Sequence, residues 1–331
     1  MSKVKNSIIT ELVNGLLEGD RRSLSRAITI VESTRTDHRK IAKTIFKMLP
    51  LREQVSVRIG ISGVPGVGKS TFIEALGLHI VDEGKKLAVF AVDPSSPKTG
   101  GSILGDKTRM PELSRHENAF IRGTPSAGSL GGVARRTRDV VFLAEAAGAN
   151  VVLIETVGVG QSEFAVSDIV DLFILLVAPG GGDDLQGIKK GIIELADLVI
   201  VTKADSDLLP AAERAVRDYS SALNLLNSVD SEFKPSVISC SAQTGIGIQD
   251  TWIKIIESID LLSSSGELAS RRRERVQSLM WEELTTRIMD EVRKNPQVRA
   301  VALDLEKKLE KGELGPVDAA DTLFSVFHKK G

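Results

Sequence analysis

With a single cysteine, Cys240, in 331 residues, the chain has no means of forming an internal disulfide or a cysteine-rich metal site. That scarcity fits a reducing compartment, so a cytoplasmic location is expected. Histidine is also sparse: His38, His79, His116 and His328 form neither a run nor a ligand-spaced pair and read as surface or helix-packing residues. Neither charge predominates. With 43 basic against 44 acidic residues and a formal net charge of -1, no global field draws the chain to nucleic acid or an anionic membrane. No run approaches 18 charge-free apolar residues, so no membrane span is expected. The N-terminal "MSKVKNSIITELVNGLLEGD" has two early lysines but carries acids and lacks a long apolar core, a poor match to a signal or transit peptide. Glycine (29) and proline (11) are present at ordinary globular levels, which excludes a fibrous or disordered chain.

The apolar pattern divides the chain into three parts. Residues 1–52 carry three-to-four spacing in "SIITELVNGLLEG", "RSLSRAITIVES" and "DHRKIAKTIFKML", which predicts a helical N-terminal extension. From Val57 the rhythm becomes short apolar runs: "VRIGISG", "KLAVFAVD", "NAFIRGT", "NVVLIET", "DLFILLVAP", "DLVIVTKAD" and "SVISCSA", separated by helix-length segments. Such alternation predicts an α/β domain over 53–262, with a mostly parallel sheet covered on both faces. Residues 263–331 lack strand signals and read as a helical tail. There Val276, Met280, Leu284, Ile288 and Val292 recur every fourth residue, and Trp281 and Met289 widen the stripe. A face that apolar must be buried, either in a homodimer or against the chain's own α/β domain. Pro296 is expected to end or kink this helix, and "PVDAADTLFSVF" offers a further short helix with Pro316 near its start. The basic run "RRRER" at 271–275 has acids nearby and no interleaved aromatics, so it reads as a solvated or intersubunit face rather than a nucleic-acid surface.

Chemistry enters at "GVPGVGKS". Between a predicted strand and a predicted helix, Gly63, Val64, Pro65, Gly66, Val67, Gly68, Lys69 and Ser70, followed by Thr71, match the phosphate-loop pattern G-x-x-x-x-G-K-[ST]. The glycines turn backbone N–H groups inward around phosphates, Lys69 reaches the β and γ oxygens, and the Ser70 hydroxyl ligates Mg²⁺. "NVVLIETVG" ends a second strand in Glu155, whose carboxylate then lies at the carboxyl edge of the sheet beside that loop, within reach of Mg²⁺ through a water. Gly158 would direct its N–H at the γ-phosphate. Asp93 in "AVDPSS" and Asp106 in "ILGDKTRM" are further acids that can help position the metal. "VTKAD" supplies Lys203 and Asp205: the carboxylate accepts from guanine N1–H and the 2-amino group, which adenine does not offer, while the Lys203 stem packs along the base. Amides around Ser241, Ala242 and Gln243 in "SCSAQTG" can bind the guanine O6. Cys240 lies in the preceding strand with no histidine nearby and reads as core.

Taken together, "RSLSRAITIVES", "GVPGVGKST", "VDPSSP", "GSILGDKTRM", "ETVGVGQSE", "GGGDDLQGIKKGI" and the tail resemble the methylmalonyl-CoA mutase-associated GTPases of the MeaB/ArgK type, over nearly the whole chain. The resemblance implies a P-loop GTPase working as a nucleotide-controlled dimer. It also implies hydrolysis of GTP to GDP by an escort of an adenosylcobalamin-dependent acyl-CoA mutase, gating cofactor loading and protecting the mutase. By the same resemblance Lys69 and Ser70 serve phosphate and Mg²⁺, Asp93, Asp106 and Glu155 the metal shell, and Asp205 the guanine. The loop at 180–190, with Asp183 and Lys189, is similar to the family's additional switch; without the family it would read as a glycine-rich surface loop. One departure stands out: the usual asparagine of the base motif is Thr202 here, and a hydroxyl replaces only part of an amide's bonding.

Other classes share parts of this pattern. A nickel-insertion GTPase would show a histidine-rich tract or a paired Cys/His site, which this chain lacks. A kinase would need an acceptor site and not Asp205. A pure interaction module would bind nucleotide without turnover.

Overall fold

The computed structural model describes residues 3–50, 56–93, 109–125, 130–156, 162–180, 190–226 and 233–328. Seven strands among these form one sheet: β1 (Val57–Gly63), β2 (Leu87–Asp93), β3 (Ala119–Pro125), β4 (Val151–Glu155), β5 (Leu172–Val177), β6 (Leu198–Val201) and β7 (Ser236–Ser239), in the order β3-β2-β4-β1-β5-β6-β7. Every pairing is parallel. Each apolar run of the sequence supplies one strand. Central strands covered on both faces need no polar alternation, and β4 and β5 are buried at every position.

One face of the sheet packs on α4 (Lys69–Asp82) and α9 (Ile248–Ser264), with Ile59, Phe72, Leu76, Leu153, Ile174 and Ile255 at its centre. The other face packs on α5 (Leu130–Ala146), α6 (Ser162–Ser167), α7 (Lys190–Ile193) and α8 (Leu209–Leu226), and on the N-terminal helices α1 (Lys3–Leu17), α2 (Arg21–Glu32) and α3 (Thr36–Met48). Leu16, Ile28 and Ile45 share that core with Phe90, Val140 and Ile154. The N-terminal helices therefore complete the sheet's hydrophobic layer. Polar groups reinforce the same junction: Arg122 on the edge strand β3 donates to the Ser25 carbonyl (3.1 Å) and to Glu32 Oε2 (2.6 Å). Burial raises the Glu32 carboxyl pKa, and the arginine charge opposes it.

The order of strands sets the position of the site. Adjacent strands β1 and β4 send their connections in opposite directions, β1 toward β2 and β4 toward β5, which opens a crevice at their carboxyl ends. Register pairs Ile61 with Glu155, so the loop after β1 and the carboxylate ending β4 emerge side by side.

The chain separates into two compact units, Met1–Arg271 and Arg272–Gly331. In the first, Arg271 donates to Asp197 Oδ1 (3.1 Å), while Asp197 Oδ2 accepts from the Phe173 amide (2.8 Å) and the guanidinium carbon lies 5.7 Å from the Phe233 ring centroid. The first arginine of "RRRER" is thus held by its own unit. Arg271 opens the second turn of α10 (Glu267–Lys294). Pro296 ends that helix and starts another, α11 (Pro296–Glu310), whose N-cap Asn295 accepts from Gln297 N (2.9 Å) and Val298 N (3.4 Å). The sequence pattern placed this stretch in the helical tail without marking it off as a separate helix. The final helix α12 (Pro316–His328) starts at Pro316 as expected. Val298, Leu305 and Ala319 form the small buried set of the second unit.

Candidate nucleotide site

The phosphate loop joins β1 to α4, and its shape requires its glycines. Gly66 and Gly68 have φ of 83° and 99°, the left-handed region that other residues enter only with strain. At Gly63 a Cβ would lie 2.6 Å from the Leu176 carbonyl oxygen, so any larger residue would push the loop off β5. Lys69 and Ser70 open α4, whose N-terminal amides and dipole favour an anion. Val64, Pro65, Val67 and Thr71 complete the turn and first helical turn as the motif requires, with Val67 buried beneath it.

Lys69 is half-buried, and its Nζ donates to the Gly63 carbonyl (2.6 Å) and the Val64 carbonyl (3.3 Å). Desolvation lowers its pKa below the ordinary lysine value; the Glu155 and Glu163 charges oppose that shift and Arg109 adds to it. Two residues that sequence reasoning gave no role therefore bear electrostatically on the phosphate lysine. Glu163 is fully buried in the first turn of α6. Its signal was an acid placed just past the "ETVGVG" loop. Arg109 follows the segment containing Asp106 and is exposed.

Glu155 ends β4 and is almost fully buried, with Oε1 3.5 Å from Ser70 Oγ. A hydroxyl and a carboxylate oxygen so placed at the phosphate edge are the hard donors Mg²⁺ prefers, and an ion that keeps several waters needs few protein ligands. The donor set fits. The Asp93 backbone ends β2 at the same edge, but its side chain lies outside the described residues, as do Asp106, Gly158, Asp183 and Lys189. Among the described residues no group of three or more His, Cys, Asp or Glu side chains forms a metal cluster. Among the described residues two buried hydroxyls nearby, Ser62 Oγ on β1 and Thr156 Oγ1 just after β4, have no hydrogen-bond partner. Each directly follows a member of the Ile61 and Glu155 pair in sequence.

The segments expected to read the base follow β6 and β7 and are tied together. The Ala204 amide donates to the Cys240 carbonyl (3.1 Å), and the Ser241 hydroxyl donates to Asp205 Oδ2. The Ser241 amide donates to the Ile246 carbonyl (2.9 Å), so Ser241 acts here through its hydroxyl. Among the described residues the Ala242 and Gln243 amides have no partner and remain available to an acceptor. Lys203 stands in the left-handed region (φ 55°), and its Nζ donates to the Gly66 carbonyl (2.8 Å). Thr202 is buried, with Oγ1 2.7 Å from the Val67 carbonyl and 3.2 Å from the Val177 carbonyl. Residues 202 and 203 thus clamp the phosphate loop to the base loop. The Cys240 thiol is pushed up to about 12 by burial, which keeps it a core residue with no nucleophilic role.

The phosphate loop, the Ser70 and Glu155 oxygens and the Asp205 carboxylate thus stand at the carboxyl ends of β1, β4 and β6. The sequence profile of the family described as "Methylmalonyl Co-A mutase-associated GTPase MeaB" matches residues 24–297. The chain belongs to this family. It is a GTPase, a hydrolase of GTP. A putative GTPase of Caulobacter vibrioides is 50% identical over 321 residues, covering 96% of this chain and 98% of that one. The mitochondrial methylmalonic aciduria type A homolog of Mus musculus is 45% identical, covering 100% of this chain and 82% of its own. A crystal structure titled as an LAO/AO transport system kinase superposes with a TM-score of 0.75 at 33% identity, over 99% of both chains. The parallel sheet and its phosphate loop are therefore those of a P-loop GTPase.

Proposed function

We propose that this GTPase escorts an adenosylcobalamin-dependent acyl-CoA mutase, using the GTP cycle to gate cofactor loading and to protect the mutase. The observation that carries this reading is the family match across 24–297, which includes far more than the phosphate loop that unrelated proteins share. The mouse relative named for methylmalonic aciduria supports the same class of partner. In this reading the Lys69 ammonium holds the β and γ oxygens and Ser70 and Glu155 hold Mg²⁺, with Asp93 and Asp106 as further acids of the metal shell. The ion would supply charge neutralisation at the transferred phosphate. The Gly158 amide faces the γ-phosphate, Asp205 reads the guanine edge, Ala242 and Gln243 meet its O6, and Lys189 in the 180–190 loop relays nucleotide state to the mutase.

The tail from Ser263 is proposed to join two copies. Val276, Met280, Trp281, Leu284, Ile288 and Met289 on α10 are between 43% and 64% exposed, an apolar area large for a surface with no partner. A cytoplasmic setting is proposed on the scarcity of cysteine; among the described residues no helix is long and apolar enough to cross a membrane.

Co-purification from the native cell, with tagged chain held in a non-hydrolysable GTP analogue or in GDP, tests the partner. A co-purifying acyl-CoA mutase whose recovery depends on the nucleotide is expected. Recovery of no mutase, together with transfer of labelled phosphate from GTP to an acceptor, would replace the escort with a kinase.

A further inference from the structure

Most buried side-chain hydroxyls are bonded, because one left unsatisfied keeps the full cost of losing water. Among the described residues Ser62 Oγ and Thr156 Oγ1 break that rule at the carboxyl edge of the sheet, on residues each 1% exposed. Strand alternation shows which way they turn. Ile59 and Ile61 belong to the core under α4 and α9, so Gly60 and Ser62 face the opposite layer. On β4, Val152 and Ile154 belong to that opposite layer, and Thr156 follows two positions on, its amide still bonded to the Ile61 carbonyl (2.9 Å). Both hydroxyls therefore lie on the face that α6 covers.

Helix α6 brings a third polar group to this place. A Cβ on Gly60 would stand 3.1 Å from Val166 Cγ1, so Val166 rests directly on that glycine. Glu163 precedes Val166 by three residues and shares its side of the helix. It is fully buried, whereas Phe164 beside it is half-exposed. The chain enters α6 from the end of β4, so the helix starts at the carboxyl edge. One turn back along α6 from Val166 is therefore one pleat onward along β1 from Gly60, which sets the Glu163 carboxylate at the level of Ser62. The bearing of its charge on Lys69 agrees with that height. Two hydroxyls with protons to give, and a carboxylate with about four lone-pair sites, are the partners that an internal water needs.

We infer that Ser62, Thr156 and Glu163 enclose an internal water, which accepts the two hydroxyl protons and donates to the carboxylate, and that this water pins the start of α6 to the strand ends bearing Gly63 and Glu155. The three are positioning residues. Residues 157–161, which join β4 to α6, include Gly158, whose amide is proposed above to meet the γ-phosphate. Thr156 and Glu163 flank that segment, so losing the water should weaken GTP more than GDP. The water site stands on packing and alternation alone; its effect on the choice between the two nucleotides rests on the Gly158 reading.

Thermal unfolding of the full chain, with dissociation constants for GDP and a non-hydrolysable GTP analogue, tests it in Ser62→Ala, Thr156→Val, the double variant and Thr156→Ser. Removing a hydroxyl that has no partner would raise Tm or leave it unchanged, since an unmet desolvation cost disappears. Removing one that is bonded to the water should instead lower Tm by about 2 °C or more. Thr156→Ser, which keeps the hydroxyl, should recover most of that loss. The double variant should lose less than the sum of the singles, because both protons go to one water. Unchanged or raised Tm in both single variants, strict additivity, or no recovery in Thr156→Ser overturns the water site. The single variants should also lower the preference for the GTP analogue over GDP by about threefold or more. Equal weakening of both nucleotides, with the expected losses of Tm, would overturn only the link through Gly158, which separates the two failures.

Discussion

Lys69 carries a charge that the folded chain partly strips of water, and the cost is visible in its lowered pKa. Between that value and the ordinary 10.5, the unfolded chain holds a proton that the folded chain has released, so Lys69 makes stability rise with pH across this window. Phosphate binding has the opposite sign because it needs the ammonium. GDP affinity should therefore decline on the alkaline side before an ordinary lysine would titrate. Lys69→Ala should bind about 10- to 150-fold more weakly, the worth of about 1.5–3 kcal/mol for a charge-assisted bond, and should lose that alkaline decline. An identical pH profile in the variant would assign the decline to another group. Asp205 invites a sharper test. With Ser241 orienting one oxygen, Asp205→Asn replaces an acceptor by a donor, so GTP should weaken by about 10² or more while xanthosine triphosphate, with an acceptor at position 2, gains. Competition binding of the two nucleotides reads the swap; unchanged preference for GTP would remove Asp205 from base recognition.

At the scale of elements, what the sequence shows depends on whether the signal is local. Seven apolar runs became seven strands because strands buried on both faces leave an uninterrupted hydrophobic signature. The phosphate loop was equally plain, since its geometry demands glycine at fixed places. Residues whose role depends on tertiary neighbours were not legible. Glu163 looks like a helix-opening acid until α6 buries it near Lys69, and Thr202 looks like a weakened base-reading residue until its hydroxyl meets Val67, 135 positions away. Helix α11 was not marked off within the helical tail, for a different reason. Its mixed sequence "PQVRAVALDLEKKLE" buries only Val298 and Leu305, so the apolar period is faint, and the start signal is the pair Asn295 and Pro296. Asn295→Ala should therefore cost about 1 kcal/mol, a typical N-cap contribution, measurable as lower protection from hydrogen exchange at the start of α11. Undiminished protection would mean that Pro296 alone sets the start.

For the whole molecule, the tail and the GTP cycle decide what the protein is for. The exposed stripe on α10 predicts a homodimer in sedimentation of the full chain and a monomer after truncation at residue 262; a monomer in both would return the stripe to contacts within one chain. Neither the phosphate loop nor the "ETVGVGQSE" segment contains an arginine to stabilise the transition state, and Arg109, whose charge bears on Lys69, is exposed to solvent. A GTPase lacking one turns over at about 10⁻⁴ s⁻¹ in Ras and gains about 10⁵-fold when a partner supplies the charge. The isolated chain should therefore hydrolyse GTP slowly. The most direct measurement is single-turnover GTP hydrolysis by the full chain, alone and with the co-purified acyl-CoA mutase, for wild type and Lys189→Ala. The escort account predicts a slow rate alone, a marked acceleration by the mutase, and loss of that acceleration in Lys189→Ala with GTP affinity nearly unchanged. A rate that is already fast alone and indifferent to the mutase would contradict it.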